Sequence, residues 1–163
     1  MAKYTKEQIE ETRKYFLSQG FPLRDANVGR KDLSFFVLAP ELNPELRNFA
    51  FVCVGDPLGE KVIGVSAEVP EQFQPYWAFH EATEYIDIGE EVKGRCLMAL
   101  NRELNVLPIE FKPTYLPLRL QFFKDLVDYA KARPEKYSAE HVAEFEASRD
   151  YLNKLENNIR AGK

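Results

Sequence analysis

The chain changes its hydrophobic rhythm twice. Near the start, Ile9, Phe16 and Leu17 recur at i, i+7 and i+8, the spacing of one helical face. Thr5 with Gln8 three residues on forms a capping-box start, and Gly20 is a natural stop, so the spacing predicts a helix over 5–19. From Leu33 the period shortens. The runs Leu33–Leu38, Phe49–Val54 and Val62–Ala67 are β-branched or aromatic and predict three strands. Asn43-Pro44 marks the loop between the first two, and Asp56–Glu60 is turn chemistry before the third. The arrangement expected is antiparallel, with the middle run apolar on both faces.

From Pro75 the helical period returns. Pro75 suits the first turn of a helix over 75–88, with Gly89 just past its end. A second helix is predicted over 90–106, with Val92, Cys96, Leu100, Leu104 and Leu107 at helical spacing, and Pro108 ends it. A third covers 113–132, with Leu116, Leu120, Phe123, Val127 and Ala130 inward. A last one is capped by Ser138 and carries Val142, Phe145, Leu152, Leu155 and Ile159. The polar tail from Asn157 is expected to fray.

One helix, three grouped strands and four grouped helices make an α+β fold, with helices over one sheet face and the final pair as a hairpin. The chain has 163 residues and no repeat, low-complexity tract or long linker, so residues 1–163 read as a single domain. Twelve Phe and eight Tyr supply a bulky core. A net charge of −4, mixed in sign along the chain, argues against a nucleic-acid backbone binder. No apolar run approaches the roughly 20 residues of a membrane helix, and the first residues hold no signal-peptide core. Cys53 and Cys96 sit among apolar neighbours, as buried thiols in a reducing compartment do. The expectation is a soluble, cytoplasmic protein.

His80-Glu81-Ala82-Thr83-Glu84 is the segment that could carry chemistry. On a helix, His80 and Glu84 project from one face about a turn apart and can share a metal ion or a substrate atom. Glu81 points beside them, where a carboxylate can hold a metal-bound water and take its proton. Asp87 continues the polar stripe. Glu103 is the preferred third ligand: it lies close to the apolar stripe of the next helix, where an unpaired carboxylate is costly. His141 and Cys96 are the other candidates. The plainer reading makes His80–Glu84 an i,i+4 hydrogen bond, Glu103 a salt-bridged rim residue, and Trp77, Tyr76 and Phe79 core.

This segment, after a sheet and before a helix bearing Glu103, resembles the zincin metallopeptidases over about residues 50–105. More narrowly it looks like the gluzincin branch, with His-Glu-x-x-His on one helix and a Glu on the next. The resemblance implies that His80 and Glu103 are metal ligands and that Glu81 is the general base. Glu84 stands where that family has its second histidine. The resulting set is harder and more acidic, suiting iron or manganese as well as zinc. Two functions follow as expectations. One is a small metal-dependent hydrolase, active or vestigial. The other is a non-catalytic domain that meets a protein or peptide partner through its C-terminal helices. A metal-free small-molecule pocket is a third.

Overall fold

A computed structural model describes residues 5–54, 61–89 and 91–162, with the side chains of Lys6, Cys53, Val54 and Lys61 outside that description. The turn expected at Asp56–Glu60 and the side chain of Cys53 therefore lie outside it.

Helix α1 (Lys6–Ser18) forms as its capping box dictates. The Thr5 hydroxyl accepts from the Gln8 N–H at 3.1 Å, and the Thr5 N–H donates to Gln8 Oε1 at 2.7 Å. Four strands follow, not three: β1 (Leu23–Val28), β2 (Lys31–Leu38), β3 (Ala50–Val54) and β4 (Lys61–Ser66). The additional strand, β1, is the polar run Leu-Arg-Asp-Ala-Asn-Val, which carries little β propensity of its own. Its hairpin with β2 makes it a strand. Val28 pairs with Lys31 across Gly29-Arg30, and both turn residues have positive φ (55° and 68°), as a type I′ turn requires. Gly29 is doubly constrained, because a Cβ there would come within 2.6 Å of Val106 Cγ1.

The sheet order is β1-β2-β4-β3, and it is mixed. The antiparallel expectation holds for β3–β4 and fails for β2–β4, which run parallel with Phe36 opposite Gly64; the unpredicted β1 pairs antiparallel with β2. The connection from Ala39 to Phe49 is long enough to carry the chain past one strand position. β3 thus lands at the edge, and β4 returns into the gap. Helix α1 covers one face, where Phe16 packs 5.3 Å from Phe36 and 5.9 Å from Phe51. Phe35 points the opposite way. There Arg24 lies over its ring at 5.4 Å and bonds Gln74, the first residue of helix α2 (Gln74–Ala82). Helices therefore cover both faces and not one.

The α2 helix widens into π-helical turns over Thr83–Ile88 and stops at Gly89, whose φ is 101°. Helix α3 spans Arg95–Val106, starting later than its apolar spacing suggested, so Val92 precedes it and is exposed. Helices α4 (Lys112–Lys131) and α5 (Ala139–Arg160) form the expected hairpin, closed by Tyr129, Tyr137 and Phe145 packed edge to face at successive centroid distances of 6.0 Å. The α5 helix continues through Asn157 to Arg160, past the point where fraying was expected. Trp77 and Phe79 are core, and the Trp77 indole N–H donates to the Asn48 carbonyl at 3.0 Å. Tyr76 packs edge-on against Phe111 and Tyr115. Among the described residues no helix is long and apolar enough to cross a membrane.

Candidate metal centre

His80 sits in the last turn of α2, 2% exposed, and its two ring nitrogens meet different neighbours. Nδ1 lies 2.8 Å from Glu103 Oε1 on α3. Nε2 lies 3.2 Å from Glu84 Oε2 and 3.9 Å from the Cys96 sulfur. The widening of the helix begins at Thr83, between His80 and Glu84, so the pair predicted at i,i+4 is joined through a π-helical segment. Such segments often accompany functional sites.

Glu103 is fully buried and saturated. Arg119 on α4 grips it with two parallel bonds, Nε to Oε2 and Nη2 to Oε1, each 2.9 Å. The Tyr115 hydroxyl donates to Oε2 as well. The Arg119 guanidinium stands 4.2 Å over the Trp77 ring. Burial alone would raise the Glu103 pKa, but the Arg119 charge, then the His80 bond, hold it below the usual carboxylate value. The preferred third ligand of the sequence reading thus lies on the Nδ1 side of the imidazole. Glu84 and Cys96 lie on the other.

The Nε2 side is where donors converge. His80, Glu84 and Cys96 are all buried, and one ligand atom from each lies within 4.8 Å of the others, a group that could hold a metal ion. Zinc bonds of roughly 2.0–2.3 Å in a tetrahedron place donors about 3.3–3.8 Å apart. The 3.2 and 3.9 Å separations from Nε2 bracket that range. Glu84 Oε1 accepts from Arg95 Nε at 3.1 Å, leaving Oε2 toward the imidazole. Burial works against the Glu84 charge, yet the His80 bond and Arg95 bring its pKa below the usual value. Cys96 accepts from the Ser148 hydroxyl at 3.4 Å, and burial raises its thiol pKa. His80 is pulled the other way by burial, but its bonds to Cys96, Glu103 and Glu84 raise its pKa well above the ordinary histidine value. Those three bonds favour the charged form of the ring.

Glu81 is half-buried and accepts no hydrogen bond among the described residues. It opens, with His80, Glu84 and Cys96, onto a cavity of about 710 Å³ that reaches the edge strand β3 and the α4–α5 hairpin. Burial, then the charge of Glu84, pushes its pKa up to about 7. The remaining candidates lie elsewhere. Asp87 is ion-paired with Lys31, and His141 is bonded to Ser138 in the first turn of α5.

Arg119 and Tyr115 escaped the sequence reading, and one feature could have found the first. Arg119 occupies the apolar stripe of Leu116, Leu120 and Phe123, as Glu103 does that of Ala99 and Leu100. Opposite charges on the buried stripes of successive helices must meet, or neither would be tolerated.

Fold and site together define an α+β chain with a buried His-Glu-Cys group that could hold a metal. No family model, curated protein or solved structure matches it.

Proposed function

We propose that this chain is a small metal-dependent hydrolase, zincin-like in its His80-Glu81-x-x-Glu84 helix, with His80, Glu84 and Cys96 as ligands and Glu81 as general base. The observation that carries the reading is the convergence of three donors at the wall of a cavity onto which a carboxylate free of hydrogen bonds also opens. An imidazole, a thiolate and one carboxylate suit zinc better than iron or manganese, because the thiolate softens the set. A divalent ion held there would polarise a substrate carbonyl and acidify a water. Glu81, with its pKa pushed up to about 7, is matched to taking a proton near neutrality.

Glu103 has a different part in this scheme. It accepts the Nδ1 proton and fixes the tautomer and ring plane that turn Nε2 toward Glu84 and Cys96. A thiol-nucleophile reading of the same residues is weaker. Glu84 Oε2 stands closer to Nε2 than the sulfur does, 3.2 against 3.9 Å, so the imidazole is directed at the carboxylate.

Elemental analysis of untagged protein, dialysed against zinc and freed of excess, tests the proposal. One zinc per chain is expected, lost in His80→Ala, Glu84→Ala and Cys96→Ala and retained in Glu81→Gln. Wild-type protein without bound zinc, or zinc retained in all three ligand variants, would refute it.

A further inference from the structure

The cavity carries opposite charges on different elements of its wall. His80, Glu81 and Glu84 come from α2 and its π-helical continuation, whereas Arg133 and Lys136 come from the turn between α4 and α5. That turn is well fixed. The Lys136 N–H donates to the Arg133 carbonyl at 3.0 Å, and Arg133 Nη1 donates to the Tyr129 carbonyl at 3.0 Å. The Arg133 guanidinium lies 3.7 Å from the centroid of the Tyr129 ring, so its plane is held before any ligand arrives. Its carboxylate partner is Glu45, a side chain 65% exposed on a surface loop, which an incoming anion can displace. Lys136 has no acidic partner among the described residues. The rings of Tyr137, the residue after Lys136, and Phe145 pack edge to face at 6.0 Å and line the same cavity.

We infer that the cavity takes a carboxylate-bearing ligand with an aromatic or apolar body, its carboxylate seated at Arg133 and Lys136 and its body along Tyr137 and Phe145. The volume of about 710 Å³ lies within the usual span of small-molecule sites. Orientation follows from charge: Arg133 and Lys136 on the basic turn attract the carboxylate, which leaves the rings of Tyr137 and Phe145 to the body. The substrate class rests on the hydrolase reading, since only that reading places the bond to be cleaved near Glu81. The anion seat does not depend on a metal.

N-Benzoylglycine and its neutral relative N-benzoylglycinamide are suitable probes. Their binding to the whole chain is followed by NMR titration, first with chelator and then with zinc. With chelator, the acid is expected to bind about tenfold more tightly than the amide, the difference expected for one charge-assisted contact. That gap should close in Lys136→Glu, an exposed position, and in Arg133→Gln. Equal affinity for the two probes, no binding of either at millimolar concentration, or an unchanged gap in both variants would overturn the inference. A chain that prefers the acid yet takes up no zinc keeps the anion seat and loses the hydrolase. Zinc uptake without any preference does the reverse.

Discussion

The two edges of one imidazole divide this molecule. On the Nδ1 side of His80 both Glu103 oxygens are engaged: they meet Arg119, Tyr115 and the ring itself, within a wall of Trp77, Phe122 and Phe123. On the Nε2 side the neighbours are a carboxylate shared with Arg95, a thiol and, beyond them, a cavity with Glu81 on its wall. With both its oxygens taken, Glu103 acts through rigidity. The open side keeps donor capacity at some cost to the fold. Engaged and available donors thus lie on opposite edges of the same ring.

Breaking the saturated side should have the largest effect on folding. Arg119→Met takes the bidentate guanidinium from the buried Glu103 carboxylate and leaves it only His80 and Tyr115, and loss of one partner of such a pair costs about 3–5 kcal/mol. Urea unfolding of chelated protein should register a loss of that size. The double variant Arg119→Met/Glu103→Met should recover a large part of it, since an apolar pair of similar volume replaces the ion pair. A single Arg119→Met variant as stable as wild type would mean that Glu103 is neutral and that the contrast drawn here is false.

His80→Gln touches both sides and should cost about 1–3 kcal/mol, from partly unpaired buried carboxylates. Zinc uptake should vanish with it. Glu84→Gln, on the open side, should cost only about 1 kcal/mol, because Arg95 keeps an amide oxygen to bond. Its effect on zinc should nonetheless equal that of His80→Gln. Melts and metal analysis of the two variants side by side would sharpen the comparison: similar metal loss, different stability loss. A Glu84→Gln variant that binds zinc normally would remove Glu84 from the ligand set.

What the sequence disclosed follows the same division. Local features were readable: the Thr5–Gln8 capping box, the Gly89 stop, and His80 with Glu84 on one face depend on residues a few positions apart. Features made by long-range packing were not. Strand β1 owes its existence to the Gly29-Arg30 turn and to pairing with β2, which overrides the weak propensity of Asp25 and Asn27. The parallel β2–β4 contact depends on where the Ala39–Phe49 connection lands. At the site, Glu103 was singled out for a sound reason, a carboxylate on an apolar stripe. Its geometry is set by Arg119, sixteen positions on, and that contact turns its oxygens to Nδ1. Cys96 reads as a small hydrophobe in any apolar stripe. Only the approach of α3 to α2 brings its sulfur to Nε2.

The smallest effect on stability, and the most diagnostic in sign, belongs to Glu81. Its carboxyl titrates at about 4.5 in the unfolded chain and about 7 in the folded one. Between those values the folded chain keeps a proton that the unfolded chain has released. The Glu81 contribution therefore weakens the fold as pH rises through this window and levels off above pH 7. Glutamine has no such proton, so Glu81→Gln should match wild type near pH 4.5 and exceed it at pH 8. Because the side chain is partly exposed, the gain is on the order of 1 kcal/mol. The depressed pKa values of Glu84 and Glu103 place their losses below pH 4.5, outside the window, as pH falls through their folded values. His80, raised above 6.5, loses its stabilising contribution only as pH climbs through its own folded value, in both chains. On the proposed hydrolase reading, turnover should run opposite to stability: a base with a pKa of about 7 is silenced by protonation on the acid side, so wild-type rates should fall below that pH. Urea melts of chelated wild type and Glu81→Gln at pH 5 and pH 8 decide the matter. A variant no more stable than wild type at pH 8 would place the Glu81 carboxylate in ordinary solvent, unfit to serve as a base poised near neutrality.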